Sequence, residues 1–443
     1  MKLRNAYRGS IFSFKETATL KNLPVKKSDS NDQYIYIEDG LLVVEDGKIS
    51  QVGSYAELHD KINNISITDY TGKIITPGFI DTHIHAAQSG IVAAYGEKLL
   101  EWLNNYVFPR ESTYADKENA RADLNFFLDQ MVLNGTTTAC AYGPLFYEAT
   151  DILFEELNKR NMRFITGNII MNVDGPDNLR LSTEKNYENA TRLIEKWHNK
   201  NRLSFCISPR FALSCSEEML ELCGELKKQH PDVYIQTHLD ENINEVIEVK
   251  KEFPWSKNYL DVYDRFGLVG DQSIFGHCIH LKDEELDLLK QSKATISWCP
   301  ISNNFLGSGL FDCERVLKYT DRVTLGTDMG GGNTFSMFAV MDDAYKVSML
   351  QGYRLPSMHR WFMATLGTAK ALKLGDKIGS LTPGKEADFI VIDPYASPML
   401  KYRSKQVNDI FELLFILMTL GDDRQIQATY INGSCAYEQG RIL

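Results

Sequence analysis

Short apolar segments alternate with longer amphipathic segments across the middle of this chain, about residues 74–371. The apolar segments predict eight β-strands: Ile74–Ile80, Thr136–Tyr142, Phe164–Met171, Leu203–Pro209, Val233–Leu239, Ser273–Cys278, Ala294–Cys299 and Val323–Asp328. Helices are predicted between them, at Ala115–Leu133, Asp151–Asn161, Thr183–Asn199, Ser216–Gln229 and Asp283–Gln291. This order favours an α/β fold, a (β/α)8 barrel whose functional residues lie at the C-terminal ends of the strands.

The two ends of the chain have a different pattern from the middle. Strands are predicted at Tyr34–Glu38, Gly40–Gly47 and Lys48–Val52, and again at Ala387–Asp393 and Gln427–Gly433. A chain of 443 residues exceeds one ordinary core, so a second, smaller domain is expected. We therefore predict a small β-sandwich domain built from residues 1–73 and 372–443, beside a catalytic barrel of residues 74–371.

Composition excludes several classes of partner. A net charge of −11 argues against a nucleic-acid or anionic-membrane surface, because both require clustered Lys and Arg. The eight cysteines form no Cys-x-x-Cys pair and indicate reduced thiols. Residues Met1–Phe14 have no continuous apolar core of a signal peptide, and Ile410–Leu420 is too short to span a bilayer. The chain is expected to be a soluble, cytoplasmic protein.

Two histidines directly follow the first apolar strand, in Asp81-Thr82-His83-Ile84-His85. Residues i and i+2 of a strand face the same side, with Cα atoms about 6.5–7 Å apart. Two imidazoles in this arrangement can bind one metal ion, although a lone buried histidine is more often a core residue. The pair predicts a metal site at the mouth of the strand.

Further polar residues occupy the corresponding position on other strands. His238 lies near the end of the fifth strand, His277 near the end of the sixth and Asp328 at the end of the eighth. Three neutral imidazoles and one carboxylate suit a divalent metal such as zinc, which lowers the pKa of a bound water towards about 7. We therefore predict His83, His85, His238 and Asp328 as ligands of one Zn²⁺, with iron possible. His277 is either a further ligand or a group that hydrogen-bonds the water.

Glu241 lies three residues after His238 and is a candidate general acid and base. A carboxyl group beside a metal site can move a proton between water, substrate and leaving group. The alternative is a solvated Glu at the start of a helix. The metal predicted next to it favours catalysis.

The motifs around these residues resemble those of the amidohydrolase superfamily. The resemblance rests on Pro77-Gly-Phe-Ile-Asp-Thr-His-Ile-His85, Gly276-His277, Gly326-Thr-Asp328 and Ile378-Gly-Ser-Leu-Thr-Pro-Gly-Lys-Glu-Ala-Asp388. It implies the barrel and the metal chemistry above. The fourth strand, Leu203–Pro209, has no Lys to bridge two metals, so the resemblance favours the mononuclear aminohydrolases of the superfamily.

Three further segments resemble the guanine deaminases, one family within this superfamily. They are His85-Ala-Ala-Gln88, Leu100–Glu111 and Ser208–Glu218. The resemblance implies a pocket in which Arg210 donates to the purine O6, Gln88 bonds the edge of the ring and Phe211 stacks on it. Without it, these residues would be interpreted as a surface ion-pair partner, a loop residue and a core residue.

The resemblance also implies the reaction, hydrolysis of guanine to xanthine and ammonia in purine catabolism. A metal-activated water would attack C2, Asp328 and Glu241 would move protons, and His277 would orient the water. A homodimer is a further implication of the family.

Two other functions remain open from the sequence. Another mononuclear aminohydrolase, acting on cytosine, a pterin or a triazine, would keep the metal chemistry and differ in the pocket. A non-catalytic barrel that serves as a scaffold would be expected to have lost some of the ligands, yet all of them are present.

Overall fold

The computed structural model of the protein describes residues 4–29, 32–62, 65–95, 99–407 and 409–443. Residues 1–3, which the sequence assigns to the terminal domain, lie outside the described part. The described residues form two eight-stranded sheets, one made from both ends of the chain and one from its middle. The α/β fold class is thereby confirmed.

The strands, in chain order, fall into three groups. The first group is β1 Arg4–Phe14, β2 Tyr34–Glu45, β3 Lys48–Ser54 and β4 Ile67–Pro77. The second is β5 Phe79–His85, β6 Thr136–Gly143, β7 Arg163–Ile170, β8 Leu203–Pro209, β9 Tyr234–Leu239, β10 Ser273–His277, β11 Thr295–Trp298 and β12 Val323–Leu325. The third is β13 Phe389–Ile392, β14 Ile426–Ile431, β15 Ser434–Glu438 and β16 Arg441–Ile442.

Helices connect the strands of the second group and cover that sheet, and further helices lie between β3 and β4 and between β13 and β14. The longer ones are Lys117–Leu133, Tyr147–Lys159, Thr183–Trp197, Glu217–Gln229, Ile243–Glu252, Asp283–Ser292, Met337–Leu350 and Ile410–Leu420. Shorter ones are Tyr55–Leu58, Leu99–Trp102, Phe108–Ser112, Tyr259–Arg265, Pro300–Phe305, Cys313–Tyr319, Ser357–Met363, Leu366–Ala371 and Pro398–Ser404. All five predicted helices are present, with ends shifted by a few residues.

Strands β5 to β12 pair in parallel in chain order and form the barrel. The two edge strands of this sheet, β5 and β12, meet and close the barrel. The backbone N–H of Asp328, just after β12, donates to the carbonyl of His83 on β5 at 2.7 Å. The Thr82 hydroxyl inside the barrel also donates to the Leu325 carbonyl at 3.0 Å. The (β/α)8 prediction is confirmed, and the carboxyl ends of all eight strands lie at one rim.

The terminal sheet has the strand order β16-β15-β14-β13-β4-β1-β2-β3. Residues from both of its halves share one core, Tyr7, Leu42 and Ile49 from the N-terminal strands with Phe389 and Tyr430 from the C-terminal ones. Both ends of the chain therefore build a separate domain beside the barrel.

The first predicted barrel strand, Ile74–Ile80, was wrong in its bounds. The structure divides that segment between β4, which pairs with β1 and β13 in the terminal sheet, and β5 of the barrel. Gly78 separates them, and a Cβ there would lie 2.2 Å from the Thr137 hydroxyl, so the chain passes between the sheets where only a glycine fits. β4 thus continues past the domain boundary predicted at residues 73 and 74.

Two composition-based expectations concern the membrane and the cysteines. No helix within the described ranges is long and apolar enough to cross a membrane. All eight cysteines are described and are free thiols, and seven of them are buried. Their burial matches the expectation of reduced thiols within the fold.

Candidate active site

The rim of the barrel brings together the four predicted metal ligands. His83 and His85 lie on β5, His238 on β9, and Asp328 follows β12. One ligand atom from each lies within 4.8 Å of those from the others. The Asp328 Oδ1 atom lies 3.5 Å from His83 Nε2 and 3.3 Å from His85 Nε2. Strands far apart in the sequence thus place three imidazoles and a carboxylate around one point.

Two glycines make room for the His83 side chain. A Cβ on Gly276 would lie 2.3 Å from the His83 ring, and one on Gly326 would lie 2.7 Å from the His83 Cβ. Real Cβ contacts are never so short, so a larger residue at either position would displace the imidazole. These glycines, which belong to the motifs quoted above, are therefore part of how the site is built.

Burial keeps the imidazoles of His83 and His238 neutral. It lowers the pKa of His83 to about 4 and holds the pKa of His238 well below its usual value. The Nδ1–H of His238 donates to the Arg210 carbonyl at 2.6 Å, which leaves Nε2 free to bind a metal. Within the described residues, the buried Nε2 of His83 has no hydrogen-bond partner. A divalent metal would satisfy both nitrogen atoms, so the residues present fit a metal site.

His277 lies beside this cluster, completely buried at the end of β10. Its Nδ1–H donates to Asn303 Oδ1 at 2.8 Å, so Nε2 carries the lone pair. That nitrogen lies 3.5 Å from Glu241 Oε2 and 3.8 Å from Asp328 Oδ2. His83, His277 and Cys299 form a second group with metal-ligand spacing. The geometry therefore suits His277 both as a ligand and as a partner of the water.

The backbone at this rim has an unusual conformation. His277 has a φ of 67° and Asp328 a φ of 45°, both in the left-handed region that favours glycine. Such conformations cost about 1–3 kcal/mol each and concentrate at functional sites. They turn both side chains towards the cluster just where their strands end.

Glu241 is buried, which excludes the alternative of a solvated helix-start residue. Burial, followed by the charge of Asp328, raises the pKa of its carboxyl group to about 8. The Ser308 hydroxyl donates to it at 3.4 Å. Its own backbone N–H donates to the buried Glu245 carboxylate at 3.1 Å, which holds this turn in place. Glu241 can therefore carry a proton at neutral pH and release it to a neighbouring base.

The predicted pocket residues line one cavity with the cluster. Gln88, Arg210 and Phe211 lie on its wall together with His85, His238, Glu241 and Asp328. Arg210 is 2% exposed, so it is not a surface ion-pair partner. The cavity thus combines an acid, a cation, an amide and an aromatic face.

Other residues of the site were missed in the sequence analysis. Trp102, Leu103, Glu245 and Leu306 also line the cavity, and Glu111 supports it from behind by accepting hydrogen bonds from two pocket residues. Trp102 and Glu111 belong to the segment Leu100–Glu111 that carries the resemblance, so the segment was noticed but no role was assigned to its residues. Nothing in the local pattern identifies their partners.

The Gly330–Gly332 run packs against the pocket. A Cβ on Gly330 would lie 2.0 Å from Gln88 Oε1, and one on Gly331 would lie 2.9 Å from Asp328 Oδ2. Gly330 also has a φ of +123°. Small residues are required because the loop passes close to two side chains of the site.

Comparisons with known proteins agree on one family. Residues 74–435 match the amidohydrolase family. The guanine deaminase of Escherichia coli (strain K12) is 45% identical over 405 residues, which are 91% of this chain and 92% of that protein. A solved E. coli guanine deaminase has a TM-score of 0.94 at 43% identity, covering 98% of this chain and 100% of that one. A guanine deaminase from C. acetobutylicum, solved with guanine in its active site, has a TM-score of 0.87 at 30% identity, covering 98% of this chain and 100% of that one.

Proposed function

This chain belongs to the amidohydrolase family, and we propose that it acts within that family as a guanine deaminase, hydrolysing guanine to xanthine and ammonia. One observation carries the proposal. Three of the four predicted metal ligands and all of the predicted purine-binding residues line the same cavity, in a chain 45% identical to a guanine deaminase over most of its length. Many substrates are compatible with the metal chemistry alone, but the side chains of the pocket favour a purine.

Four residues are proposed to hold one metal ion, namely His83, His85, His238 and Asp328. Neutral imidazoles and a carboxylate suit Zn²⁺, and iron is the alternative with the same ligands. A metal ion held by these residues would supply a water whose pKa falls to about 7, which would make that water nucleophilic at neutral pH.

The remaining steps depend on the protein's own side chains. Asp328 accepts a proton from the attacking water, and His277 Nε2, which lies 3.8 Å from the Asp328 carboxylate, orients that water. Glu241 gives its proton to the ring nitrogen next to C2, takes up the proton of the new C2 hydroxyl group and passes it to the departing amine. The proton held by Asp328 then returns to Glu241, which restores both groups. Its raised pKa supports this role, because an acid must still hold its proton at the working pH.

The pocket residues are proposed to orient the base. Arg210 donates to O6, Gln88 bonds the neighbouring ring nitrogen, and Phe211 offers a face for stacking. All three are buried, so water is excluded from their contacts with the base and each hydrogen bond counts for more. They would hold C2 towards the cluster.

We further propose a cytoplasmic homodimer that binds neither nucleic acid nor membrane and that works in purine catabolism. The net charge of −11 supports the absence of a nucleic-acid partner. The dimer is supported by the family resemblance. Sedimentation at micromolar concentration tests it, and a purely monomeric species would contradict it.

Ultraviolet absorbance of the purified protein with guanine, with bound metal quantified in the same sample, tests the main proposal. We expect conversion to xanthine, about one metal ion per chain, and loss of activity with a chelator. Cytosine, a pterin and a triazine complete the panel. Turnover of one of these with guanine untouched would contradict the substrate, and a metal-free, inactive protein would favour a scaffold.

A further inference from the structure

We propose that Glu111 is a positioning residue that sets the hydrogen-bond polarity of the purine pocket by holding the Gln88 amide in one orientation. The inference rests on the proposed function, because it concerns how the pocket distinguishes 6-oxopurines such as guanine from 6-aminopurines. Glu111 is buried behind the pocket and lies between two residues that line the cavity.

The Gln88 amide has one defined partner. Its Nε2 donates to Glu111 Oε1 at 2.9 Å, and both residues are buried. A carboxylate accepts hydrogen bonds and donates none, so only the NH₂ group of Gln88 can face it. The Oε1 atom of Gln88 is buried without a hydrogen-bond partner among the described residues. The acceptor is therefore the end of the amide that Gln88 can offer to a ligand.

The same carboxylate also holds Arg210. The Arg210 Nη1 donates to Glu111 Oε2 at 2.7 Å, and both side chains are at most 4% exposed. The ion pair balances a buried cation that would otherwise be costly. Arg210 has five N–H donors and no acceptor, so its further N–H groups can reach the cavity that it lines.

Together the two residues present a donor beside an acceptor. Guanine carries the complementary pair on one edge, with O6 as acceptor next to N1–H as donor. A 6-aminopurine has the opposite polarity there, an amino donor next to an N1 acceptor. A site built around buried hydrogen bonds rejects the mismatched base strongly, because polar groups are left unpaired. Glu111 would thus contribute to specificity without touching the base.

Glu111→Gln reverses this polarity. Arg210 can only donate, so the new amide must turn its oxygen to Arg210 and its NH₂ to Gln88. Gln88 must then turn its own oxygen to residue 111 and its NH₂ to the cavity. Guanine then loses the hydrogen-bond acceptor for its N1–H group, whereas the N1 atom of a 6-aminopurine gains a hydrogen-bond donor. The variant keeps the volume of Glu111 and all but one of its atoms.

The test compares guanine with 2,6-diaminopurine, which has the same amino group at C2 and the opposite edge. Steady-state kcat/KM is measured for both on the metal-loaded enzyme. We expect the wild type to prefer guanine by on the order of 10³-fold, and Glu111→Gln to reduce that preference at least about tenfold. An equal loss on both substrates would mean a merely structural role and would overturn the proposal.

Binding to the metal-free protein provides a readout that is independent of catalysis. Hypoxanthine and adenine both lack the C2 amino group and differ from each other at the 6 position and at N1. Calorimetry measures the Kd of each. Glu111→Gln should reduce the preference for hypoxanthine by about tenfold, and an unchanged preference would contradict the proposal. If the wild type selects hypoxanthine but does not turn over guanine, the proposed function fails while the role of Glu111 stands.

Two further variants complete the design. Glu156→Gln is the matched control. Glu156 also accepts hydrogen bonds from two basic side chains, Arg121 and Lys159, but it lies on a helix that does not line the cavity. It should leave the preference between the two bases unchanged. In a Gln88→Ala background, Glu111→Gln should no longer change the preference, since the effect passes through Gln88. A change as large as in the wild-type background would overturn this route.

Discussion

At the scale of single residues, the candidate site depends on protonation states that burial sets. Low dielectric surroundings disfavour charge, so His83 stays neutral, with a pKa of about 4, and Glu241 keeps its proton, with a pKa of about 8. Burial thus leaves an acid and a neutral imidazole, the form that can bind a metal ion, in one site. The two predictions that follow remove one function at a time.

Glu241→Gln removes the acid and keeps the size of the side chain. We expect kcat to fall by about 10²–10⁴-fold, because proton transfer to the ring nitrogen and to the amine is lost. Bound metal, measured by mass spectrometry, should stay at the wild-type level. Wild-type kcat in this variant would remove Glu241 from the mechanism.

His83→Ala removes a proposed ligand. We expect metal content and guanine turnover to fall together, and more than tenfold, because three groups would remain to hold the ion. His59→Ala is the matched control, since His59 is an exposed histidine next to Asp60 and far from the rim in sequence. Full metal content in His83→Ala would contradict the proposed ligand set.

At the scale of elements, the strand ends determine the geometry of the site. Parallel pairing places the carboxyl ends of β5, β9, β10 and β12 at one rim, and side chains from neighbouring strands meet there. Close approach of the strands then requires Gly276 and Gly326 opposite His83. The position of the His83 ring therefore depends on small residues at other strands of the barrel.

Gly276→Ala tests this requirement. The added methyl group would overlap the His83 ring, so the imidazole must move, and we expect metal affinity to fall by about 10–100-fold. Competition with a chromogenic chelator measures the affinity. Gly270→Ala is the matched control, because no atom lies within 4 Å of its Cβ position, and it should leave the affinity unchanged. Equal affinities in the two variants would contradict the steric argument.

At the scale of the whole molecule, buried ion pairs join the terminal domain to the barrel. Arg163 and Arg202, at the start of β7 and just before β8, donate to Glu386 at 2.7 Å each. Arg202 also pairs with Asp388. Burial alone would raise the pKa of Glu386, but hydrogen bonds and charge from both arginines outweigh it and lower that pKa. The contact lies at the end of the barrel opposite the site.

Glu386→Gln should destabilise the protein by about 3 kcal/mol near neutral pH, because two buried arginines lose a charged partner. A lowered folded pKa gives stability that is present above the unfolded value of about 4.3 and is lost as pH falls through the folded pKa. The difference between wild type and variant should therefore shrink below about pH 4. Urea denaturation followed by circular dichroism at several pH values measures it.

Glu188→Gln is the control for this prediction. Glu188 is exposed and pairs with Lys185 on the surface of a helix, so its loss should leave the free energy of unfolding nearly unchanged. A difference for Glu386→Gln that stays constant with pH would contradict the assignment of the stabilisation to the carboxylate.

Local pattern was enough to predict the barrel and to single out His83, His85, His238, Asp328 and Glu241, which the fold brings together at its rim. Each of these depends on residues within one strand or directly after it, so the spacing of apolar and polar side chains already contains the information. The bounds of β4 and β5 could not be predicted from the local pattern. A single apolar segment contributes to both sheets, and only the fold shows where one strand ends and the other begins.

Glu111 shows what required the tertiary structure. Its partners, Gln88 and Arg210, lie 23 and 99 residues away in the chain, and no periodicity links such positions. The same holds for Glu386, which is 223 residues from Arg163. Strands and their terminal residues follow from short-range patterns. Contacts between separate segments depend instead on the path of the whole chain, which places the Glu111 carboxylate behind the pocket and the partly buried Glu386 carboxylate between the two domains.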